Sequence, residues 1–229
     1  MKIFFISIFP EIFDSFLDTS LIKKAKEKKI LEFEIINPRD FCMDKHKQVD
    51  DEIYWWWAGM LMMAQPVIDA VNSAISKIWN WDFHIIFSSP SAQIWNQKYA
   101  YSFSKCENLI FVCGRYEWID YRFEQYFSDK YPENFSKISM WKFITLWWEL
   151  PSMTMVESVV RLVPGVIKEE SSRQDESYQI TKNMENLEYP QYTRPQIVEW
   201  YEVPQVLMNW NHKEIEKRRT DFQWTIKNE

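Results

Sequence analysis

Three short apolar runs constrain the fold of this chain more than any other feature of its sequence. They are Lys2–Ile8, Phe83–Phe87 and Leu109–Val112, and each is too short for an ordinary helix. Runs that are apolar nearly throughout are typical of strands buried on both faces of a parallel sheet. Between them, Pro66–Ile78 has helical spacing and Asn96–Ser104 is a further candidate helix. Strands that alternate with helices predict an α/β domain with a mostly parallel sheet.

The remaining segments extend this pattern. Pro10 begins a predicted helix, and Leu31–Ile36 alternates like a strand. Ile138–Leu146 is a further predicted strand, followed by a helix at Ser152–Leu162. Residues 37–64 are polar and irregular, which indicates a long loop, and long loops in compact domains are often functional.

A polar, weakly patterned stretch divides the chain near its C-terminal end. We predict one large domain over residues 1–167, a linker over 168–186 and a small helical C-terminal domain over 187–229. Within the last of these, Pro204–Asn209 and His212–Arg219 have the spacing of short helices.

The composition narrows the class of protein. With 46% hydrophobic residues, the 229-residue chain can bury a sizeable core. A net charge of −6 excludes a strong overall basic field, so contacts with nucleic acid must use local patches such as Lys23–Lys29 or Lys213–Arg219. The 3 cysteines lack metal spacing and leave one unpaired in any disulfide scheme, which predicts free thiols in a reducing compartment. No run approaches the roughly 20 apolar residues of a membrane span, so we expect a cytoplasmic chain with no membrane partner.

Polar loops follow two neighbouring predicted strands. S-S-P-S-A-Q, Ser88–Gln93, comes after one, and C-G-R-Y-E-W-I-D, Cys113–Asp120, comes after the other. Ligands of open α/β sheets bind outside the carboxyl ends of the strands, so the two loops could share one ligand. In the second loop, Glu117 could accept from ribose hydroxyls and Arg115 could hold a carboxylate or phosphate. Ordinary strand–helix turns and a surface ion pair remain the alternatives.

Two other polar stretches are weaker candidates. His46 suits a general base, but a solvated loop histidine is the commoner case, and its segment lacks the ligand density of a metal site. We therefore predict no metal-ligating set of residues. Asp175 and Glu176 are adjacent carboxylates in the polar linker, where a solvated segment is again commonest. A general base must reach the proton that it removes, and spacing alone does not establish that.

Taken together, these loops resemble one family almost from end to end: the bacterial tRNA (guanine-N1)-methyltransferases of the SPOUT class. The stretch C-G-R-Y-E followed by I-D is specific in this context. The matching stretches are I-F-P-E-I-F at Ile8–Phe13, P-R-D-F at Pro38–Phe41, D-K-H-K-Q-V-D-D at Asp44–Asp51, A-G-M-L-M at Ala58–Met62, C-G-R-Y-E at Cys113–Glu117, E-L-P at Glu149–Pro151, R-L-V-P-G-V at Arg161–Val166, P-Q-Y-T-R-P at Pro190–Pro195, V-P-Q-V-L at Val203–Leu207 and N-H at Asn211–His212.

The resemblance implies a SPOUT-type parallel sheet with a deep trefoil knot, an exception to the general absence of knots. It also implies a homodimer with the active site between subunits. The expected activity is methylation of N1 of the guanosine 3′ of the anticodon, with tRNA as partner and S-adenosylmethionine as methyl donor. A dependence on Mg²⁺ is a further expectation from the family.

The resemblance also assigns roles to individual residues. It implies three donor-binding loops, Ser89–Ala92, Gly114–Glu117 and Met140–Trp148, and it maps the arginine of the guanine site onto Arg161. The expected donor contacts are Ser89, Pro90, Gly114, Arg115, Glu117, Met140, Phe143, Leu146, Trp147 and Trp148.

The catalytic base differs from the family pattern. The family places an aspartate directly before Ser and an aromatic residue, in the order E-D-S. This chain has D-E-S, so Glu176 stands in that slot, before Ser177 and Tyr178, with Asp175 beside it. Either Glu176 is the catalytic base and reaches the guanine with its longer side chain, or a local shift of the chain places Asp175 in that role. We favour Asp175 slightly because it is the family's residue type.

Tryptophan and glycine are present in unusual numbers, with 13 Trp and 3 Gly. Average usage predicts about 16 glycines in a chain of this length. Glycine serves where φ is positive or where backbone approaches a ligand closely, and tryptophan satisfies neither need. The tryptophans that stand where the family has glycine are Trp55, Trp56, Trp57, Trp118, Trp141, Trp147, Trp148, Trp200 and Trp210.

We hypothesise that a gene in which UGA encodes glycine has been translated with a table that reads UGA as tryptophan. Trp79, Trp81, Trp95 and Trp224 are not assigned by this reasoning. If the tryptophans are genuine, the alternative is a non-catalytic tRNA-binding relative whose donor pocket is filled by Trp147 and Trp148 and which has no activity.

Overall fold

A five-stranded sheet, all of whose paired strands are parallel, forms the centre of the first of two compact units in a computed structural model of the chain. This unit spans Met1–Lys168. The strands are β1 (Lys2–Ile6), β2 (Glu32–Ile36), β5 (Phe83–Ile94), β6 (Asn108–Val112) and β8 (Phe135–Ser139). Their order across the sheet is β2-β1-β6-β5-β8. The predicted α/β class with a mostly parallel sheet is therefore confirmed.

The structure describes residues 1–54, 59–168, 176–182, 184, 187–208 and 211–221. Trp55–Trp57 and Trp210, four of the tryptophans at expected glycine positions, lie outside these ranges. So do the unassigned Trp224 and Asp175, one of the two candidate bases.

Helices cover both faces of the sheet, which explains why its strands are apolar on both sides. Along β1, Phe4 and Ile6 face one hydrophobic cluster, whereas Ile3 and Phe5 face another. Two helices, α3 (Ala64–Ser76) and α5 (Arg122–Lys130), supply residues to the first cluster. The second cluster draws on α1 (Asp14–Leu17), α2 (Ser20–Glu27), α4 (Gln97–Phe103) and α6 (Glu149–Val160).

Two strands of a smaller sheet lie within the segment that was predicted to be an irregular loop. The smaller sheet has the order β3-β4-β7, where β3 is Asp50–Glu52, β4 is Met60–Met62 and β7 is Trp118–Ile119. The loop prediction for residues 37–64 is therefore wrong in part. Pairing of Leu61 with Trp118 and of Met62 with Ile119 stabilises this sheet, and such distant pairs leave no local pattern.

The predicted strand Ile138–Leu146 is also wrong over most of its length. Strand β8 ends at Ser139, whose hydroxyl donates to the carbonyl oxygen of Trp141 at 2.9 Å. Residues 140–148 form no strand, and α6 begins at Glu149, three residues before the predicted start. Three apolar side chains of this segment, Phe143, Ile144 and Leu146, are exposed instead of lying in the sheet, at 61%, 78% and 84%.

The second unit spans Glu169–Glu229. Its described part contains the helix α7 (His212–Asp221), where a short helix was predicted at His212–Arg219. It also contains a two-stranded antiparallel hairpin of β9 (Ile197–Val198) and β10 (Tyr201–Glu202). The hairpin was not predicted, since each strand has only two residues. Among the described helices of the whole chain, none combines the length and the apolar character needed to cross a bilayer.

Candidate active site

The carboxyl ends of three adjacent strands, β6, β5 and β8, border one cavity of about 410 Å³. All three loops that were predicted to bind a donor contribute to its wall. The lining residues are Ser88, Ser89, Pro90, Tyr116, Glu117, Trp118, Ile138, Ser139, Met140, Trp141, Phe143, Ile144, Thr145, Leu146, Trp148 and Pro151.

An irregularity in β5 forms one wall of this cavity. Ile138 of β8 pairs with both Ser88 and Gln93, so residues 89–92 are looped out between the two pairings. Within that loop the amide of Ser91 donates to Ser89 Oγ at 3.3 Å. Ser88 Oγ is buried at the cavity and makes no hydrogen bond within the described part of the chain. Since buried hydroxyl groups are normally hydrogen-bonded, this oxygen is available to a polar ligand.

Glu117 enters the cavity from the loop after β6. Its amide donates to the carbonyl oxygen of Met60 at 3.1 Å, which joins this loop to the smaller sheet. Gly59 packs so closely that a Cβ atom there would lie 2.7 Å from Glu117 Cγ. Gly59 also has a φ of +127°, a conformation that L side chains rarely adopt. Gly59 is therefore required both for its backbone conformation and to leave room for the Glu117 side chain.

Arg115 lies beside the cavity and does not line it. Its guanidinium carbon lies 5.1 Å from the ring centroid of Phe9 and 5.0 Å from that of Trp147. Arg115 Nη1 also donates to the carbonyl oxygen of Leu146 at 2.8 Å. The arginine thereby connects the loop after β6 to the segment 140–148.

Trp148 narrows the cavity. Its ring packs against Phe87 and Trp118, with centroid separations of 5.8 Å and 5.0 Å. Trp147 is directed elsewhere, against Phe9 at 5.7 Å, and does not line the cavity. Of the two tryptophans expected to fill a blocked pocket, only Trp148 reaches it, and a cavity remains beside its ring.

Two other tryptophans, Trp81 and Trp95, differ in backbone conformation and in side-chain contacts. Of those that the structure describes, only Trp81 has a positive φ, at 57°. Trp95 instead donates from Nε1 to Ser158 Oγ at 3.0 Å and stacks on Tyr99 and Phe103. The contacts of Trp95 are specific to an indole, whereas the backbone of Trp81 favours glycine.

Cys113 directly follows β6 and precedes Gly114. It is buried, with 2% of its surface exposed. Burial, together with the nearby Glu149 carboxylate, raises the pKa of this thiol well above its ordinary value. Since the thiolate is the nucleophilic form, Cys113 is inert as a nucleophile. Within the described residues, no group of three or more His, Cys, Asp or Glu side chains has the arrangement to hold a metal ion.

The structure thus brings together most of the predicted donor contacts. Gly114 and the non-lining Arg115 and Trp147 lie directly beside the cavity wall. Arg161 follows the last residue of α6 and is half-buried, whereas Glu176 belongs to the second unit. The cavity-lining residues that were not predicted as donor contacts lie mostly inside sequence stretches quoted above. The sequence therefore indicated the region of the chain but not that these side chains line the cavity. The predicted contacts that line the cavity are Ser89, Pro90, Glu117, Met140, Phe143, Leu146 and Trp148.

Comparison with known proteins gives the same assignment along the whole chain. The sequence model of the family described as tRNA (Guanine-1)-methyltransferase TrmD matches residues 1–227. A tRNA (guanine-N(1)-)-methyltransferase of Clostridium perfringens is 43% identical over 219 residues, covering 96% of this chain and 86% of the relative. One of Mycoplasmopsis synoviae is 39% identical over 241 residues and covers 100% of both chains. One of Clostridioides difficile is 38% identical, covering 96% of this chain and 91% of the relative. The chain therefore belongs to the tRNA (Guanine-1)-methyltransferase TrmD family.

Proposed function

We propose that this protein is a tRNA (guanine-N1)-methyltransferase that transfers a methyl group from S-adenosylmethionine to N1 of the guanosine 3′ of the anticodon. The observation that carries the proposal is the family match over residues 1–227, combined with a cavity at the strand ends where that family's donor loops map. No observation favours the non-catalytic alternative. That alternative requires a filled donor pocket, whereas Trp148 narrows the cavity but leaves it open.

The cavity fits S-adenosylmethionine in size and in chemistry. Its volume of about 410 Å³ lies within the ordinary range for small-molecule pockets. The Glu117 carboxylate can accept hydrogen bonds from ribose hydroxyls, and the unpartnered Ser88 Oγ can bond to a polar group of the ligand. Ile138 and Leu146 provide an apolar surface for a purine ring. When bound, S-adenosylmethionine supplies an activated methyl group on a sulfonium centre.

The chain's own residues act on the guanine. Guanine N1 carries a proton and is a poor nucleophile until the proton is removed, and a carboxylate within hydrogen-bond reach can remove it. Asp175 or Glu176 has this role in our proposal. As the proton leaves, negative charge develops towards O6, where the guanidinium of Arg161 would stabilise it. Holding guanine N1 in line with the methyl group of the donor supplies much of the remaining rate acceleration.

We further propose that the protein is a cytoplasmic homodimer with the trefoil knot of its family, acting on tRNA, and that Mg²⁺ assists it. One observation supports binding of a second protomer next to the cavity. Phe143, Ile144 and Leu146 are 61%, 78% and 84% exposed. Neighbouring large apolar side chains exposed to this degree are typical of an interaction surface.

The test is methyl transfer to unmodified tRNA transcripts, with the product nucleoside identified by mass spectrometry. We expect 1-methylguanosine in a transcript with guanosine 3′ of the anticodon and none in a matched transcript with adenosine there. Equal methylation of both transcripts, or of neither, would reject the proposal. In the same assay, Asp175→Asn and Glu176→Gln identify the base, since the variant of the true base loses turnover while the other retains it.

A further inference from the structure

A buried carboxylate directly follows Trp148, a residue that lines the cavity, and it belongs to none of the predicted contacts. Glu149 is the first residue of α6 and is only 1% exposed. Its Oε1 accepts a hydrogen bond of 2.6 Å from Ser7 Oγ, while its buried Oε2 has no hydrogen-bond partner in the described part of the chain. Burying an incompletely hydrogen-bonded carboxyl group costs free energy, so its place at this point of the fold calls for a physical reason.

The Ser7 hydroxyl extends the contact towards the cavity. While it donates to Glu149, it accepts a hydrogen bond of 3.0 Å from the amide of Phe9. A hydroxyl engaged as donor and acceptor at once has a fixed orientation. The backbone after β1 is thereby held at Phe9, and it is held to the start of α6, 142 residues away in sequence.

Phe9 then supports Arg115. The ring of Phe9 lies 5.1 Å from the guanidinium carbon, within the range of a cation–π interaction. Arg115 in turn donates to the carbonyl oxygen of Leu146, a residue that lines the cavity. Leu146 stands three residues before Glu149, so the contacts form a closed circuit through the ends of β1 and β6 and the segment 140–148.

We propose that Glu149 and Ser7 are positioning residues of the donor site, which act through Phe9 to hold Arg115 and the segment 140–148 in place. The inference rests on the proposed function. Glu149, Ser7 and Phe9 do not line the cavity, so their effect on a ligand must pass through residues that they hold. Trp147 also packs on Arg115. The circuit does not depend on Trp147, because it closes through Phe9 and the Leu146 carbonyl oxygen.

The experiment compares Ser7→Ala and Glu149→Ala, which break the circuit, with Glu149→Gln, which retains an acceptor for Ser7. Ser158→Ala is the matched control, because it removes a hydroxyl from the same helix that, like that of Ser7, both accepts and donates, from Trp95 Nε1 at 3.0 Å and to the carbonyl oxygen of Met155 at 2.8 Å. We expect Ser7→Ala and Glu149→Ala to raise KM for S-adenosylmethionine roughly tenfold, with KM for tRNA changed less than about twofold. Glu149→Gln and Ser158→Ala should stay close to the parent protein.

Amide hydrogen exchange separates failure of this inference from failure of the proposed function. If the parent protein does not methylate tRNA, the proposed function fails, and exchange then decides the positioning role. Ser7→Ala should speed exchange at residues 113–117 and 140–148 by roughly tenfold, whereas Ser158→Ala should not. The inference is overturned if Ser7→Ala and Glu149→Ala match Ser158→Ala in exchange, or if they raise both KM values equally in an active enzyme.

Discussion

The ring of Trp148 packs directly on the backbone of Gly114, so closely that a Cβ atom on that glycine would lie 2.6 Å from Trp148 Cε3. Trp148 itself has an ordinary backbone, with φ −83° and ψ −14°. This backbone does not require glycine at position 148, so the effect of the indole there is one of space beside the cavity.

Trp148→Gly should enlarge the cavity and strengthen binding of S-adenosylmethionine. We expect a decrease in Kd of roughly tenfold, because a side chain that lines the cavity no longer excludes part of the ligand. Isothermal titration calorimetry measures this. Trp79→Gly, at a residue that is 97% exposed and outside the cavity, is the control and should leave Kd unchanged. An unchanged Kd for Trp148→Gly would show that the indole does not obstruct the donor.

Gly114→Ala should destabilise the chain by about 1–3 kcal/mol, because the added methyl group meets the Trp148 ring. The same substitution in a Trp148→Gly background should cost much less. Urea unfolding of the two single variants and the double variant gives the coupling free energy as a double-mutant cycle. Additive effects would show that Gly114 is needed for a reason other than the Trp148 contact.

Trp81→Gly should stabilise the protein by about 1 kcal/mol, because an L side chain at a φ of 57° is strained by a similar amount and glycine is not. Trp79→Gly is the comparison, since Trp79 is also exposed but lacks a positive φ. Thermal unfolding should give a higher Tm for Trp81→Gly only. A lower Tm would mean that the contact of Trp81 with Phe83, at 6.3 Å between centroids, outweighs the strain.

The decoding hypothesis now extends to two tryptophans that the sequence left unassigned. We expect UGA at Trp81, as at the family glycine positions, and UGG at Trp95, whose indole N–H is bonded to Ser158. Reading the gene's nucleotide sequence checks this directly. UGG codons at Trp55–Trp57 would overturn the hypothesis as a whole.

His84 should make stability depend on pH. Burial lowers its pKa from 6.5 to about 4, and its Nε2 lies 2.8 Å from Ser136 Oγ. Because the pKa is depressed on folding, the unfolded chain binds the proton first as pH falls. Stability is therefore lost between pH 6.5 and about 4, by an amount on the order of 3 kcal/mol. His84→Gln should show a smaller loss over that window in urea unfolding; an identical loss would assign the effect to other groups.

Local sequence patterns predicted much of the sheet and the loops at its carboxyl edge, because strands buried on both faces are recognisable one at a time. The link from Ser7 to Glu149 was out of reach, since it joins residues 142 positions apart. The pairing of β4 with β7 was not predicted for the same reason. At Ile144 the apolar pattern indicated a strand, yet the side chain is exposed, and hydrophobicity alone does not distinguish a core from a surface that binds a ligand or partner.

The double pairing of Ile138 with Ser88 and Gln93 fixes both ends of the loop 89–92 to the same residue of the central sheet. Another wall of the cavity, formed by residues 140–148, has no strand pairing, and three of its apolar side chains are largely exposed. The two walls therefore differ in the freedom with which each can respond to a ligand. We expect the adenosyl ligand to enter by displacing the segment 140–148, so that the association rate reflects the opening of that segment while the loop 89–92 sets the shape of the bound state.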